Sequence, residues 1–241
     1  STPLIQCMRL QKQARLRSLY IKDESRNPTG SYMDRGSAVL ASAVVSTGFR
    51  SVGLRGDGNY MASMGAYLAR AGVEAFGSCK LPADSSKVVQ ASLYGVKHAS
   101  PETAPTVSYH NPYMLEGLKT ISIELVEQLD SLPSAVIIPT ATGALLFSVY
   151  KGFRELLSYG DIDRMPTLYA AVSKSHPLVS SKPTREVMFL PVADKTYIRE
   201  AKKALEETEG IAVGVSDAEM VRCVRALAKA EGVLAEPSAA A

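Results

Sequence analysis

The sequence predicts an α/β fold built on parallel sheets. Three observations carry the prediction. Short β-rich runs alternate with helical stretches, the pattern of βαβ units. A strand, a glycine-bearing turn and a helix recur at 19–45, 51–71 and 135–157. The 241 residues, 46% hydrophobic and 21% charged, suffice for one large α/β domain or two modest ones.

Each element follows in order. Leu19-Tyr20-Ile21 reads as a strand ending in Lys22-Asp23-Glu24, and Asp34 to Val45 as a small-residue apolar helix. Ser51-Val52-Gly53-Leu54 is a strand that ends in the turn Arg55-Gly56-Asp57-Gly58-Asn59. Met61 to Ala71 follows as a helix closed by Gly72. Val73 to Ser78 is a strand, and Asp84 to Leu93 a helix stopped by Gly95. Ala99 to Pro105 is soft, a linker or the trace of a deletion. Met114 to Leu129 carries Leu115, Leu118, Ile121, Leu125 and Leu129 at helical spacing. Ala135 to Pro139 is a buried-type strand, and the turn Thr140-Ala141-Thr142-Gly143 opens a helix through Leu157. Thr167 to Val172 is a strand, Ile198 to Glu207 a helix and Ile211 to Val215 a strand. Ser216 then caps a helix over Asp217 to Ala230, with Glu219 three residues on completing a capping box.

Composition excludes several classes. The 27 basic and 24 acidic residues leave a formal +3, and the basic residues are scattered, so there is no electrostatic case for nucleic acid. No apolar run approaches the ~18 residues of a membrane span. Cys7, Cys79 and Cys223 lie far apart with no CxxC, which argues against a zinc ribbon or internal disulfide framework and fits a reducing, cytoplasmic setting. His98, His110 and His176 are isolated, have no metal spacing, and read as loop or surface residues. Cys79 and Cys223 read as small core residues, and Met61, Met64 and Tyr67 as a core stripe. The chain opens on Ser1-Thr2-Pro3-Leu4 and stops among helix formers at Ala239-Ala240-Ala241, which leads us to expect further residues at both ends.

Helix N-termini behind glycine-bearing turns present free N–H groups to anions. In open α/β sheets the ligand crevice lies at the carboxyl ends of the strands. The pattern therefore predicts an anionic small-molecule site fed by these turns. The plain structural alternative is a set of ordinary βα connections.

The run Asn27-Pro28-Thr29-Gly30-Ser31-Tyr32-Met33-Asp34-Arg35-Gly36 resembles N-P-T-G-S-F-K-D-R-G of threonine synthase and its relatives. These are tryptophan-synthase-β-like pyridoxal-phosphate enzymes. Gly56-Asp57-Gly58-Asn59 is similar to that family's S-x-G-N-T loop, and Asn111 to Thr120 to its N-P-x-x-x-E-G-x-K-T run. Tyr150 to Leu156 resembles the helix behind the phosphate loop, and Glu236-Pro237-Ser238-Ala239-Ala240 the E-P-x-x-A-A segment. The resemblance spans nearly the whole chain. It implies a two-domain α/β architecture with open parallel sheets of the tryptophan-synthase-β-like type. The small domain is drawn at 37–109 and the large one at 1–36 plus 110–241, with the ligand in the cleft between them. A homodimer is also implied.

Three departures bear on activity. In the family a lysine holds pyridoxal phosphate as an imine and later moves the substrate's protons. The matching residue is Met33, and a thioether can do neither. The family's phosphate loop is glycine-rich, whereas here it is Thr140-Ala141-Thr142-Gly143, with one glycine left. The loop for the substrate carboxylate has Asp57 where the family has Ser or Thr. At ~4 Å its charge would oppose a carboxylate by roughly 1–4 kcal/mol. Asn59, beside the cofactor's ring hydroxyl in the family, is retained, and Tyr60 replaces a small Thr. By the same resemblance, Asn59, Thr140, Ala141, Thr142, Gly143 and Ser238 face the cofactor, and Asp57, Gly58 and Asn59 the substrate. Ser238 reads alternatively as a helix N-cap after Pro237. No residue is assigned to a metal.

Met33 admits a natural loss of catalysis, an engineered replacement, or a catalytic amine moved to Lys22, Lys80 or Lys87. Asp34 and Arg35 read either as part of an anion site or as a helix-start carboxylate and an arginine that ties the turn. Two functional expectations follow. The first is a threonine synthase-like protein that has lost elimination and replacement chemistry. Its pyridoxal phosphate is absent or held without a covalent bond, and it has a binding or regulatory role toward a small anionic, amino-acid-like ligand. The second is a working lyase acting on O-phosphohomoserine or a related amino acid.

Overall fold

The structure is a computed structural model and describes residues 1–78, 85–180 and 195–241. Cys79, Lys80 and Asp84 lie outside the described residues. In chain order the elements are β1 (Leu4–Gln6), α1 (Met8–Gln13), β2 (Tyr20–Lys22), α2 (Met33–Ser46), β3 (Ser51–Arg55) and α3 (Gly58–Arg70). Then come β4 (Glu74–Gly77), α4 (Ser86–Leu93), β5 (Lys97–His98), β6 (Thr106–Ser108), α5 (Pro112–Leu118) and α6 (Thr120–Gln128). The chain continues with β7 (Ala135–Pro139), α7 (Ala144–Tyr159), β8 (Thr167–Ser173), α8 (Ile198–Glu207), β9 (Ala212–Val215) and α9 (Asp217–Glu231). The fold is α/β with parallel sheets, as the alternation of strand and helix predicts.

The chain forms two compact units. One gathers Pro3–Lys22 with Ile121–Ala241, and the other is Asp23–Thr120 joined by Thr2. The smaller unit thus extends beyond 37–109 on both sides, because α2 packs against both α3 and α5.

In the smaller unit the sheet order is β5-β4-β3-β6, all parallel. The soft stretch 99–105 carries a short 3-10 turn at Pro101–Thr103 and leads into β6, which pairs Gly53 with Thr106 and Leu54 with Val107. Helices α2 and α5 approach until only glycine fits between them. A Cβ on Gly36 would lie 2.6 Å from the Met114 methyl, and one on Gly117 would lie 2.1 Å from the Arg35 carbonyl oxygen. These two motif glycines therefore set helix packing. Asn111 caps α5 by accepting the Tyr113 N–H at 3.0 Å, with Pro112 opening the helix.

One expected helix, Met114 to Leu129, is two. Thr120 Oγ1 donates to the Gly117 carbonyl at 2.7 Å as α5 closes at Lys119, and α6 starts afresh.

In the larger unit β7, β8 and β9 are parallel, with Ile138 opposite Ala170 and Ala170 opposite Ala212. Leu146, Val149 and Phe153 of α7 and Ala201 and Leu205 of α8 bury Ile138, Leu168 and Val172. The first βα repeat departs from expectation, since β2 enters no parallel sheet. It pairs antiparallel with β1, its near neighbour in sequence, which needs no crossover. The capping box of α9 is present: Ser216 Oγ accepts the Glu219 N–H, and Glu219 accepts the Ser216 N–H at 2.8 Å. The Ser216 hydroxyl also donates to the Glu219 carboxylate at 2.6 Å, and that bond, followed by those from the Ser216 N–H and Lys174, holds the carboxyl down to about 2. Among the described residues no helix is long and apolar enough to cross a membrane.

Candidate functional site

The smaller unit supplies the segment around Met33. Gly30 turns the chain at φ +76°, and its N–H donates to the Asn27 carbonyl at 2.9 Å. Thr29 is held on three sides. Its N–H and hydroxyl donate to the two Asp34 carboxylate oxygens, each at 2.7 Å. Its carbonyl accepts from Lys87 Nζ at 3.1 Å and Gln90 Nε2 at 3.2 Å. Asp34 is 1% exposed and also accepts from the Ser63 hydroxyl at 2.5 Å. Arg35 binds Glu24, Thr2 and Thr120. The pair therefore ties the turn and starts the helix.

Met33 is the first residue of α2 and is 3% exposed. Its N–H donates to Ser31 Oγ at 3.3 Å. The thioether packs in the core, where a primary amine would demand solvation or a partner.

The loop after β3 is organised by Asp57. Its Oδ1 accepts the Tyr60 N–H at 2.8 Å, which makes Asp57 the N-cap of α3. A carboxylate thus sits at the helix end that would otherwise receive an anion. Gly58 is buried in the first turn. Asn59 is half-exposed, and its side chain has no hydrogen-bond partner among the described residues. Tyr60 fills space as expected: it is fully buried, edge-on to Tyr109 at 6.3 Å. Its hydroxyl finds no partner among the described residues, and burial pushes its pKa up.

The larger unit supplies the loop 140–143. Thr140 is 1% exposed, and its N–H donates to the Ala171 carbonyl at 2.8 Å. Its hydroxyl turns back to the Ile138 carbonyl at 2.9 Å, so it is not offered to a ligand. Thr142 Oγ1 accepts the Ala144 N–H at 3.4 Å. Gly143 caps α7 at φ +88°, where a Cβ would meet the Tyr197 carbonyl at 2.5 Å. This surviving glycine is required twice over, by its dihedral and by that contact. The N–H groups of Thr142, Leu145 and Leu146 meet no acceptor among the described residues.

Ser238 is not a helix N-cap. It donates to Glu236 Oε1 at 2.6 Å, and the Glu236 carbonyl takes the Ala239 and Ala240 N–H groups.

His176 lies in the loop after β8, one of the two settings expected for it, but it is 0% exposed rather than at the surface. Nε2 lies 2.8 Å from the Ala141 carbonyl oxygen, and Nδ1 accepts the Leu178 N–H at 3.2 Å. Burial holds its pKa below the usual value, partly offset by the bond to Ala141. His98 is exposed and His110 half-buried. Met61 and Met64 are core residues with Tyr67 half-buried beside them, whereas Cys223 is only half-buried on α9. Sequence reasoning also missed Gln90; the i, i+3 spacing of Lys87 and Gln90 on one helix face was the available signal.

The sequence pattern described as "Pyridoxal-phosphate dependent enzyme" matches residues 1–102 and 96–241, and the chain belongs to that family. Within the family it is threonine synthase-like. It is 32% identical to threonine synthase of Methanocaldococcus jannaschii, over 99% of this chain and 67% of that protein. It is 30% identical to threonine synthase of Methanosarcina acetivorans, over 100% of this chain and 67% of that protein. Solved structures share the fold. An L-serine ammonia-lyase from Rhizomucor miehei aligns with a TM-score of 0.84 at 21% identity, covering 100% of this chain and 84% of that one. Serine racemase from Dictyostelium discoideum aligns at 0.81 and 19% identity, covering 99% and 83%.

The residues present fit this cofactor only in part. The N–H groups of Thr142, Leu145 and Leu146 suit a phosphate. Met33 does not suit an imine, because a thioether has no nitrogen to condense with an aldehyde. Lys87, whose Nζ hydrogen-bonds to this segment at the Thr29 carbonyl, is engaged by Thr29 and Gln90.

Proposed function

We propose that this chain is a threonine synthase-like protein that does not carry out pyridoxal-phosphate-dependent elimination and replacement. It binds a small anionic, amino-acid-like ligand without a covalent bond and has a regulatory role, as a cytoplasmic homodimer. The carrying observation is the buried thioether of Met33 at the start of α2. The remodelled loop 140–143 and the charge of Asp57 support the same reading.

The test is Met33→Lys. The unaltered chain, supplied with pyridoxal phosphate, is expected to release no phosphate from O-phosphohomoserine. Release by Met33→Lys at the rate of a working enzyme would mean that only the amine was missing. Continued silence would place the loss in the loops as well. Release by the unaltered chain overturns the proposal.

A second reading keeps the chemistry its relatives are named for, with the amine supplied elsewhere. Lys87 favours it, since its Nζ already reaches the Thr29 carbonyl in the segment that carries Met33.

A further inference from the structure

The buried imidazole of His176 has no part in the reading above, yet both its nitrogens are committed. Nε2 donates to the Ala141 carbonyl, and Nδ1 accepts from Leu178. That pattern requires the neutral tautomer with its proton on Nε2. Burial favours the neutral form. The imidazole thereby joins the segments that follow β7 and β8, at the carboxyl ends of two adjacent parallel strands. In such sheets this is where ligands bind.

The bond to Ala141 has a geometric consequence. The described chain has no cis peptide. In a trans peptide the carbonyl of one residue and the N–H of the next point in opposite directions. Pinning the Ala141 carbonyl onto His176 therefore turns the Thr142 N–H away from the imidazole. That N–H has no acceptor among the described residues, nor do those of Leu145 and Leu146. With Gly143 left-handed between them, these groups form the kind of concavity that takes an anion.

We propose that His176 is a positioning residue that fixes the Ala141–Thr142 peptide so that the Thr142 N–H is presented to a phosphate dianion at 140–143. This rests on the reading of 140–143 as the anion loop. It adds that a side chain after β8 does the aiming that glycine freedom alone would leave undetermined.

The experiment uses the whole, isotopically labelled chain and inorganic phosphate as the probe. Long-range proton–nitrogen correlation of the imidazole is expected to show Nε2 protonated and Nδ1 bare at neutral pH. The Thr142 amide is expected to shift on phosphate addition. His176→Gln keeps a donor that reaches Ala141, and its phosphate affinity should stay within about threefold of the parent. His176→Asn keeps only an acceptor near Leu178, and its affinity should fall about tenfold. Separate titrations with pyridoxal phosphate and O-phosphohomoserine tell a cofactor phosphate from a substrate phosphate. Phosphate bound equally well by the Asn variant overturns the positioning role alone. A proton on Nδ1 overturns it without any variant, so a destabilised mutant does not decide the matter. No phosphate binding by the parent, with the Nε2 tautomer intact, overturns the anion-loop reading and this inference with it.

Discussion

Arg35 grips Glu24 through two parallel hydrogen bonds, Nε to Oε2 at 2.6 Å and Nη2 to Oε1 at 2.8 Å. The side chains are 7% and 18% exposed, so the pair is shielded from water and salt. Breaking one partner leaves the other charge buried. Arg35→Met is expected to destabilise the chain by about 3–5 kcal/mol, and Arg35→Lys by less, because an ammonium lacks the matching fork. Urea titration of both variants checks the order. Equal stability of all three proteins would mean the pair is solvated after all.

The hydroxyl of Tyr60 is buried without a partner among the described residues. Removing it relieves an unpaid desolvation and leaves the ring packing intact. Tyr60→Phe is therefore expected to be neutral or stabilising by up to about 1–2 kcal/mol. A thermal melt showing a clear loss would reveal a partner for that hydroxyl.

Asp57 holds α3 by its N-cap bond and sets a negative charge there. Asp57→Ala is expected to cost about 1 kcal/mol, whereas Asp57→Ser keeps the cap and removes the charge. The Ser variant should keep its stability and gain affinity for carboxylates relative to the parent. Urea titration reads the first effect and isothermal titration with an amino acid the second, and an unchanged affinity would show that no carboxylate approaches this helix end.

Acidification should act through His176. Its folded pKa lies below the ordinary 6.5. The unfolded chain therefore binds more protons than the folded one in the window below about pH 6.5. The stabilisation is complete above that window and is lost as the pH falls through it, at no more than about 1.4 kcal/mol per pH unit. Melting curves from pH 8 to 5 should show His176→Gln losing less than the parent. Parallel curves for the two proteins would exclude His176 as the source.

Much of this was legible in the sequence because it is local. Strand and helix alternation gave the α/β class, and the Ser216–Glu219 spacing gave a capping box that the structure contains. The motif run 27–36 and the turn at 140–143 pointed to the segments on which the proposed reading rests. What was hidden depends on partners distant in sequence. His176 is a loop residue as the sequence suggests, but its burial depends on a contact with Ala141, 35 residues upstream. Gly36 and Gly117 fall inside expected helices, and nothing local in the sequence shows that α2 and α5 press their backbones together there. The strand β6 is too short and polar to announce itself, and only its pairing with β3 defines it.

The most direct test of the central claim is borohydride reduction of the chain after incubation with pyridoxal phosphate and dialysis, followed by peptide mass spectrometry. A thioether at position 33 predicts no near-visible band surviving dialysis and no lysine carrying the pyridoxyl group at one per chain. A single lysine modified stoichiometrically, at Lys87 or elsewhere, would contradict it.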